Sequence, residues 1–199
     1  MKFIYITILM VLISGCSTTL PPMTEYRINA KIDTKGFSDL KGCKEKSIKV
    51  AQAFSASSLM SQNMSYGLGQ SKQFAYSQAQ WADVPNRALT TEVVKLLRNL
   101  KVFKNVQLAK SRSKSDLILE TYIEDFQQYF NEDSTQSHVR VVISFSILDT
   151  VSSEVVASET FSSQLDVKSL DALGGVEALN IALSEVLNES ASWFGGVCK

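Results

Sequence analysis

The sequence is short of the residues on which most catalytic and metal sites depend. It contains one histidine, His138, and only three cysteines, Cys16, Cys43 and Cys198, in 199 residues. A lone histidine excludes sites built on two histidines and makes a Ser-His-Asp triad improbable. Neither Cys43 nor Cys198 has a CxxC partner or a histidine nearby, so no zinc ligand set is present. We therefore expect no catalysis, no metal and no cofactor.

The chain also lacks an excess charge and a second long apolar run. Its 20 basic and 20 acidic residues give a net charge of zero, and no basic cluster indicates a nucleic-acid partner. After the N-terminus, no apolar run approaches the roughly 20 residues that a helix needs to cross a bilayer. Two glycine pairs, in 67–69 and 195–196, lack the strand-to-helix context of a phosphate loop. Three acidic residues lie close together in the sequence: Glu120, Glu124 and Asp125. We expect them on the solvated face of a strand and not as an acid–base pair.

The N-terminus is an apolar run that ends in a lipobox. Residues 3–13 are apolar except for Thr7, which suits the core of a signal peptide and is too short to span a bilayer. The run ends in an aliphatic residue, two small residues and a cysteine: Ile13, Ser14, Gly15 and Cys16. This pattern predicts a signal peptide over 1–15 and a diacylglycerol on the Cys16 thiol, with a third chain on its amine. Several acyl chains form a stable anchor. The alternative is an ordinary secretory signal with a chance cysteine.

The residues after the lipobox predict where the anchor resides. Ser17 follows Cys16, and a residue other than Asp at this position favours transfer to the outer membrane. We expect a periplasmic protein on the inner leaflet of the outer membrane, with inner-membrane retention as the alternative. Residues 16–24 contain two consecutive prolines and form a short tether without regular structure. A single periplasmic domain is expected over 25–199, close to the membrane.

Once Cys16 is lipidated, Cys43 and Cys198 remain as a pair in an oxidising compartment. An even pair of this kind predicts a disulfide. It would close a loop of about 155 residues, for which the chain-entropy model gives roughly 5 kcal/mol. Two free or buried thiols, or a bond to another protein, are the alternatives.

The hydrophobic periodicity predicts a domain of mixed strands and helices. The clearest alternations of apolar and polar residues fall over 117–124, 139–147 and 155–161, and further strands are expected at 26–32 and 47–54, among others. We expect an α+β domain of two layers, in which a mostly antiparallel sheet of six or seven strands carries two amphipathic helices on one face.

Two helices show clear starting positions. The first is expected to begin at Pro85 with Asp83 as its cap, because proline is favoured in the first turn. Its apolar stripe is Leu89, Val93, Leu96, Leu97 and Leu100, and its opposite, solvent side includes Thr91, Glu92, Lys95 and Arg98. The second helix opens near Gly174 and Gly175.

One stretch resembles a known family. Residues 76–85 read YSQAQWADVP, an aromatic strand ending in Trp81-Ala-x-x-Pro85, and after the helix residues 100–106 read LKVFKNV. This order resembles the ABC-type transport auxiliary lipoproteins, which include the lipoprotein of the paraquat-inducible lipid-transport system. Trp81 and Pro85 are expected to serve the fold, because a tryptophan buries a large area and a proline fixes the start of a helix.

The resemblance implies a part in transport and no catalytic reaction. Such lipoproteins act as auxiliary subunits of systems in which an MCE-domain protein works with an ABC permease and ATPase to move lipids or other hydrophobic molecules between the two membranes. A homo-oligomer is expected, because the MCE partner is a ring. The alternatives are a pilotin-like assembly factor for an outer-membrane barrel or secretin and, third, a lipid-remodelling enzyme. A neighbouring gene for an MCE protein, or for a barrel or secretin, separates the first two.

Overall fold

The computed structural model describes residues 22–33 and 42–198. The lipobox predictions for Ile13, Ser14, Gly15 and Cys16 therefore lie outside the described residues, as does most of the loop after residue 33. Within the described residues the helices are α1 (Pro85–Leu100) and α2 (Ala172–Gly196), with a short 3-10 helix at Ser57–Met60. The strands are β1 (Thr24–Tyr26), β2 (Cys43–Val50), β3 (Phe54–Ser55), β4 (Asn63–Leu68), β5 (Lys72–Trp81), β6 (Phe103–Leu108), β7 (Leu117–Phe130), β8 (Ser137–Asp149) and β9 (Val155–Asp166).

The sheet is built on a long antiparallel ribbon of β7, β8 and β9. The other edge of β7 is lined in succession by β2, β3 and β4, each parallel to it. From there the sheet branches, with β6 beside β2 at one end and β5 then β1 beside β4 at the other. The strand β7 thus spans the molecule from its β6 end to its β5 end.

The two-layer α+β fold is confirmed, whereas the prediction of a mostly antiparallel sheet needs correction. Nine strands form one mixed sheet in the described residues, and five of the eight strand pairings are parallel. Short hairpin turns identify antiparallel neighbours in a sequence. Parallel neighbours are joined by long crossovers, which leave no local pattern to read.

Two predicted strands also change their limits. The strand expected over 26–32 is only three residues long, because the chain leaves β5 after Tyr26. The strand expected over 47–54 divides, since β2 ends at Val50 and β3 begins at Phe54. The first strand ends where β5 ends, at Trp81. The break between β2 and β3 lies opposite residues 120–121 of β7, which pair with neither strand.

The core lies between one face of the ribbon and the two helices. Alternate residues of β8 point into it and are fully buried: Val139, Val141, Ile143, Phe145 and Ile147. They meet the buried stripe of α2, which comprises Leu179, Ala182, Leu183, Val186 and Leu187. Phe145 contacts the ring of Phe194 at 5.2 Å between centroids. Burial of so many apolar side chains, at about 25 cal/mol per Å², is the main source of stability.

The starts of both helices differ slightly from the prediction. Pro85 is the first residue of α1 as expected, but Val84 occupies the cap position and no side chain caps the helix. Asp83 instead accepts a bond from the Val84 N–H and pairs with Arg87. In α2 the cap is Asp171, whose carboxylate accepts the Gly174 N–H at 2.8 Å. This bond lowers the pKa of Asp171.

Candidate functional site

The segment 27–33, here called the N-terminal strap, carries the chain from β1 across both helices. Its backbone has no neighbouring strand. Three side chains of α2, spaced one helical turn apart, take that place by accepting backbone N–H groups. Asn180 accepts from residue 29 at 2.9 Å, Ser184 from residue 31 at 2.9 Å, and Asn188 from residue 33 at 3.0 Å.

The same asparagines also donate to the strap. The side-chain amide of Asn180 donates to the carbonyl of Arg27, and that of Asn188 to the carbonyl of Lys31, both at 3.2 Å. An extended chain repeats every two residues over roughly 7 Å, whereas a helix rises about 6 Å in four residues. The two spacings nearly match, so a polar stripe on a helix can bond an extended chain over two turns.

Helix α1 holds the strap from the other side. Glu92 was expected on the solvent face, but it is buried and accepts the Ala30 N–H at 3.1 Å. It also pairs with Lys95 at 3.3 Å. The expectation for Glu92 was wrong because the strap covers that face of α1. The course of the chain after β1 is thus fixed by both helices.

Removing the two asparagines is expected to free the strap. In the double variant Asn180→Ala/Asn188→Ala four bonds to the strap are lost, each worth about 1 kcal/mol. Hydrogen exchange of residues 27–33, followed by mass spectrometry, should become at least tenfold faster. The variant Glu189→Ala, an exposed change on the same helix, is the control and should exchange as the parent does. Unchanged protection in the double variant would contradict this account of the strap.

The corner at Trp81 and Pro85 is buried where β5 leads into α1. Trp81 is 3% exposed, and its ring lies 5.8 Å from that of Phe126 in β7. Its backbone N–H donates to the Gln62 carbonyl at 2.8 Å, and the Gln62 side chain donates back to the Trp81 carbonyl at 3.2 Å. This burial supports a structural role for Trp81 and Pro85.

Truncation of Trp81 is expected to destabilise the domain strongly. The variant Trp81→Ala should lower the free energy of unfolding by about 3–5 kcal/mol, as for other large buried side chains. Trp81→Phe keeps a ring against Phe126 and should lose clearly less. Denaturation by urea measures both. A loss below about 1 kcal/mol for the alanine variant would show that the corner carries little of the stability.

The two cysteines after Cys16 meet at the end of the sheet opposite β5. The structure joins Cys43, at the start of β2, to Cys198, which follows α2, with 5.2 Å between their Cα atoms. A backbone bond from Gly42 to the Gly195 carbonyl, 3.2 Å long, lies beside them. The end of α2 is thereby tied to β2. That the exported protein carries this disulfide stays a prediction.

The acidic cluster on β7 is not uniformly solvated, contrary to expectation. Glu120 and Glu124 are exposed, but Asp125 is only 7% exposed. A β-bulge between Ile123 and Asp125 changes which residues face the helices. Asp125 accepts the Arg140 side-chain N–H at 2.6 Å and the Tyr129 hydroxyl at 2.8 Å.

These contacts occupy the carboxylate of Asp125. Burial, followed by the hydrogen bond to Asp125, raises the pKa of Tyr129 to about 12. The Tyr129 ring stacks on His138 at 5.5 Å between centroids, and Arg140 lies 6.0 Å from the same ring. The four side chains form an ion pair extended by two aromatic rings. The pair of Asp125 and Arg140 joins β7 to β8 beside the bulge.

No group of three or more histidine, cysteine or acidic residues is placed to hold a metal ion within 22–33 and 42–198. In the same part of the chain, no helix is long and apolar enough to cross a membrane.

Together, the fold and the strap define a small two-layer α+β module that receives its N-terminal chain between two helices. The chain belongs to the family described as the ABC-type transport auxiliary lipoprotein component, whose model matches residues 40–191. The resemblance noted in residues 76–106 is therefore confirmed, and the chain is an auxiliary lipoprotein of ABC-type transport. A search of curated proteins finds no match.

Solved structures share the fold. Protein XCC0632 from Xanthomonas campestris, of the family model DUF330, has a TM-score of 0.77 at 19% identity, over 87% of this chain and 95% of its own. The hypothetical protein CT253 from Chlamydia trachomatis has a TM-score of 0.50 at 8% identity, over 77% of this chain and 98% of its own. At these identities the likeness extends to the fold alone.

Proposed function

We propose that this chain is a non-catalytic adaptor, anchored in the outer membrane, for an ABC transport system that moves lipids or other hydrophobic molecules between the inner and outer membranes. The observation that carries the proposal is the family match over residues 40–191. The lipobox that ends at Cys16 adds the anchor. The partners would be an MCE-domain protein and the ABC permease and ATPase.

The way in which the domain is attached to the membrane suits an adaptor. In the proposed organisation residues 1–15 are removed, 16–24 form the tether and 25–199 form the periplasmic domain. The strap fixes the course of the chain after β1 through bonds to Asn180 and Asn188. The N-terminal segment is thereby part of the rigid domain, and the short tether keeps that domain close to the membrane.

Deletion of the gene distinguishes this function from that of an assembly factor. The adaptor function predicts a weaker outer-membrane barrier, measured as increased sensitivity to detergent, with normal amounts of assembled barrels and secretins. Expression of the unaltered chain should restore the barrier. Loss of an assembled barrel or secretin, with an otherwise intact barrier, would support the pilotin-like alternative and contradict lipid transport.

A further inference from the structure

We propose that an apolar patch at the tethered end of the domain rests on the membrane that holds the acyl chains. The patch consists of Met23, Phe74, Tyr76, Leu170 and Leu173. Its occupant is the lipid surface, and the acylated cysteine is then the first of two contacts with it. This inference rests on the anchor in the proposed function and adds the orientation of the domain.

The patch brings together three separate parts of the chain. Four of its members expose nearly half of their surface: Met23 (49%), Phe74 (46%), Leu170 (48%) and Leu173 (49%). Tyr76 and Leu173 line one surface depression together with Thr24, which follows Met23. Several exposed apolar side chains from distant segments at one end of a domain are typical of an interaction site, whereas single exposed residues are ordinary.

The patch has a rigid base. The Tyr66 ring contacts Phe74 at 5.7 Å and Tyr76 at 4.6 Å between centroids. The Tyr76 hydroxyl donates to Gln128 at 2.9 Å, so the polar end of this side chain points inward and is satisfied. Phe74 and Tyr76 are therefore held in place by a fixed frame.

The length of the tether selects the bilayer as the occupant. The described chain starts at Pro22, next to Met23, and Cys16 is seven residues before Met23. A fully extended chain covers at most about 3.6 Å per residue, so the acylated cysteine lies within roughly 25 Å of the patch. The lipid surface is thus the apolar partner that the tether holds beside these residues.

A second group of exposed apolar side chains is placed differently. Val151, Val155 and Val156 lie at the turn between β8 and β9. Strand β8 runs from Ser137, which bonds Gln128 beneath the patch, to Asp149 at that turn. At about 3.4 Å per residue its length is roughly 40 Å. Val151 is therefore well separated from the patch and provides a matched control.

The charged residues beside the patch determine how far its contact with a membrane depends on the lipid. The patch is flanked along the chain by Glu25 and Arg27, by Lys72 beside Phe74, and by Lys168 and Asp171. A surplus of one positive charge gives only a weak preference for anionic lipid, about 1 kcal/mol. Contact is therefore expected to depend on insertion of apolar side chains and to differ little between anionic and zwitterionic membranes.

Fluorescent labels at both ends of the acylated protein test the inference. The variants Leu173→Cys and Val151→Cys are purified from membranes, labelled with the environment-sensitive dye NBD and reconstituted into vesicles of phosphatidylethanolamine and phosphatidylglycerol, or of phosphatidylcholine alone. The intact mass reports acylation independently, and circular dichroism reports folding. Lipids carrying spin labels near the head group then serve as the quencher.

The label at position 173 should shift to shorter wavelength and be quenched at least threefold more than the label at 151, in both kinds of vesicle. Equal quenching at the two positions in an acylated, folded protein would overturn the patch and leave the anchor intact. Quenching at 173 only in the anionic vesicles would also overturn it, because charge would then drive the contact. A mass without acyl chains would refute the anchor and the orientation together.

Discussion

Replacement of Cys16 by serine is expected to abolish lipid attachment. The thioether to diacylglycerol requires the thiol, and a serine hydroxyl cannot form it. The variant should accumulate with residues 1–15 still present and without acyl chains, as measured by intact mass and by incorporation of labelled palmitate. Because each buried methylene contributes about 0.8 kcal/mol, loss of two or three chains removes essentially all of the anchoring energy.

Two further variants serve as controls for Cys16→Ser. Cys43→Ser should still be acylated, since only the cysteine of the lipobox is modified. Ser17→Asp should also be acylated, but it should move from the outer to the inner membrane on density gradients. Palmitate incorporation that persists in Cys16→Ser would show that residue 16 is not the anchor.

Loss of the bond between Cys43 and Cys198 is expected to be the largest change in stability. The closed loop has a sequence separation of 155, and the chain-entropy model assigns such a loop about 5 kcal/mol. Small domains are stable by only about 5–15 kcal/mol. The double variant Cys43→Ser/Cys198→Ser should therefore unfold at much lower urea, with the end of α2 exchanging first.

Reduction gives an independent measure of the same bond. Dithiothreitol should destabilise the parent chain by a similar amount and leave the double variant unchanged. Mass spectrometry under non-reducing conditions should find the peptides around residues 43 and 198 linked. Two thiols that react with an alkylating agent in the native protein would contradict the prediction.

Regular elements could be predicted from the sequence where a single pattern determines them. The alternation from Val139 to Ile147 predicts β8 because one face of that strand is wholly buried. The apolar stripe of α1 likewise predicts that helix, since tertiary packing reinforces a strong local period. The family resemblance around Trp81 and Pro85 supplied the class of protein.

Features that depend on distant partners could not be predicted in this way. Asp125 is buried because a bulge sets it against Arg140, and no local period shows a bulge. Glu92 is covered by a segment about 60 residues earlier in the chain. Asn180 and Asn188 do share a face with Ser184 at a spacing of four, which is the one sequence pattern that could have indicated the strap. That pattern does not show which segment the three side chains bind, because the strap bonds through its backbone and carries no matching side-chain pattern.

The central claim is that this chain is the auxiliary subunit of an MCE-type lipid transporter, and capture of its partners tests it most directly. Cells that express the acylated chain with a C-terminal tag are crosslinked, and the purified complexes are identified by mass spectrometry. Cys16→Ser, which should lack the anchor, is the matched control. The account predicts that an MCE-domain protein, with its permease or ATPase, is enriched with the parent chain over the control. Enrichment of a barrel or secretin, with no MCE component, would contradict it.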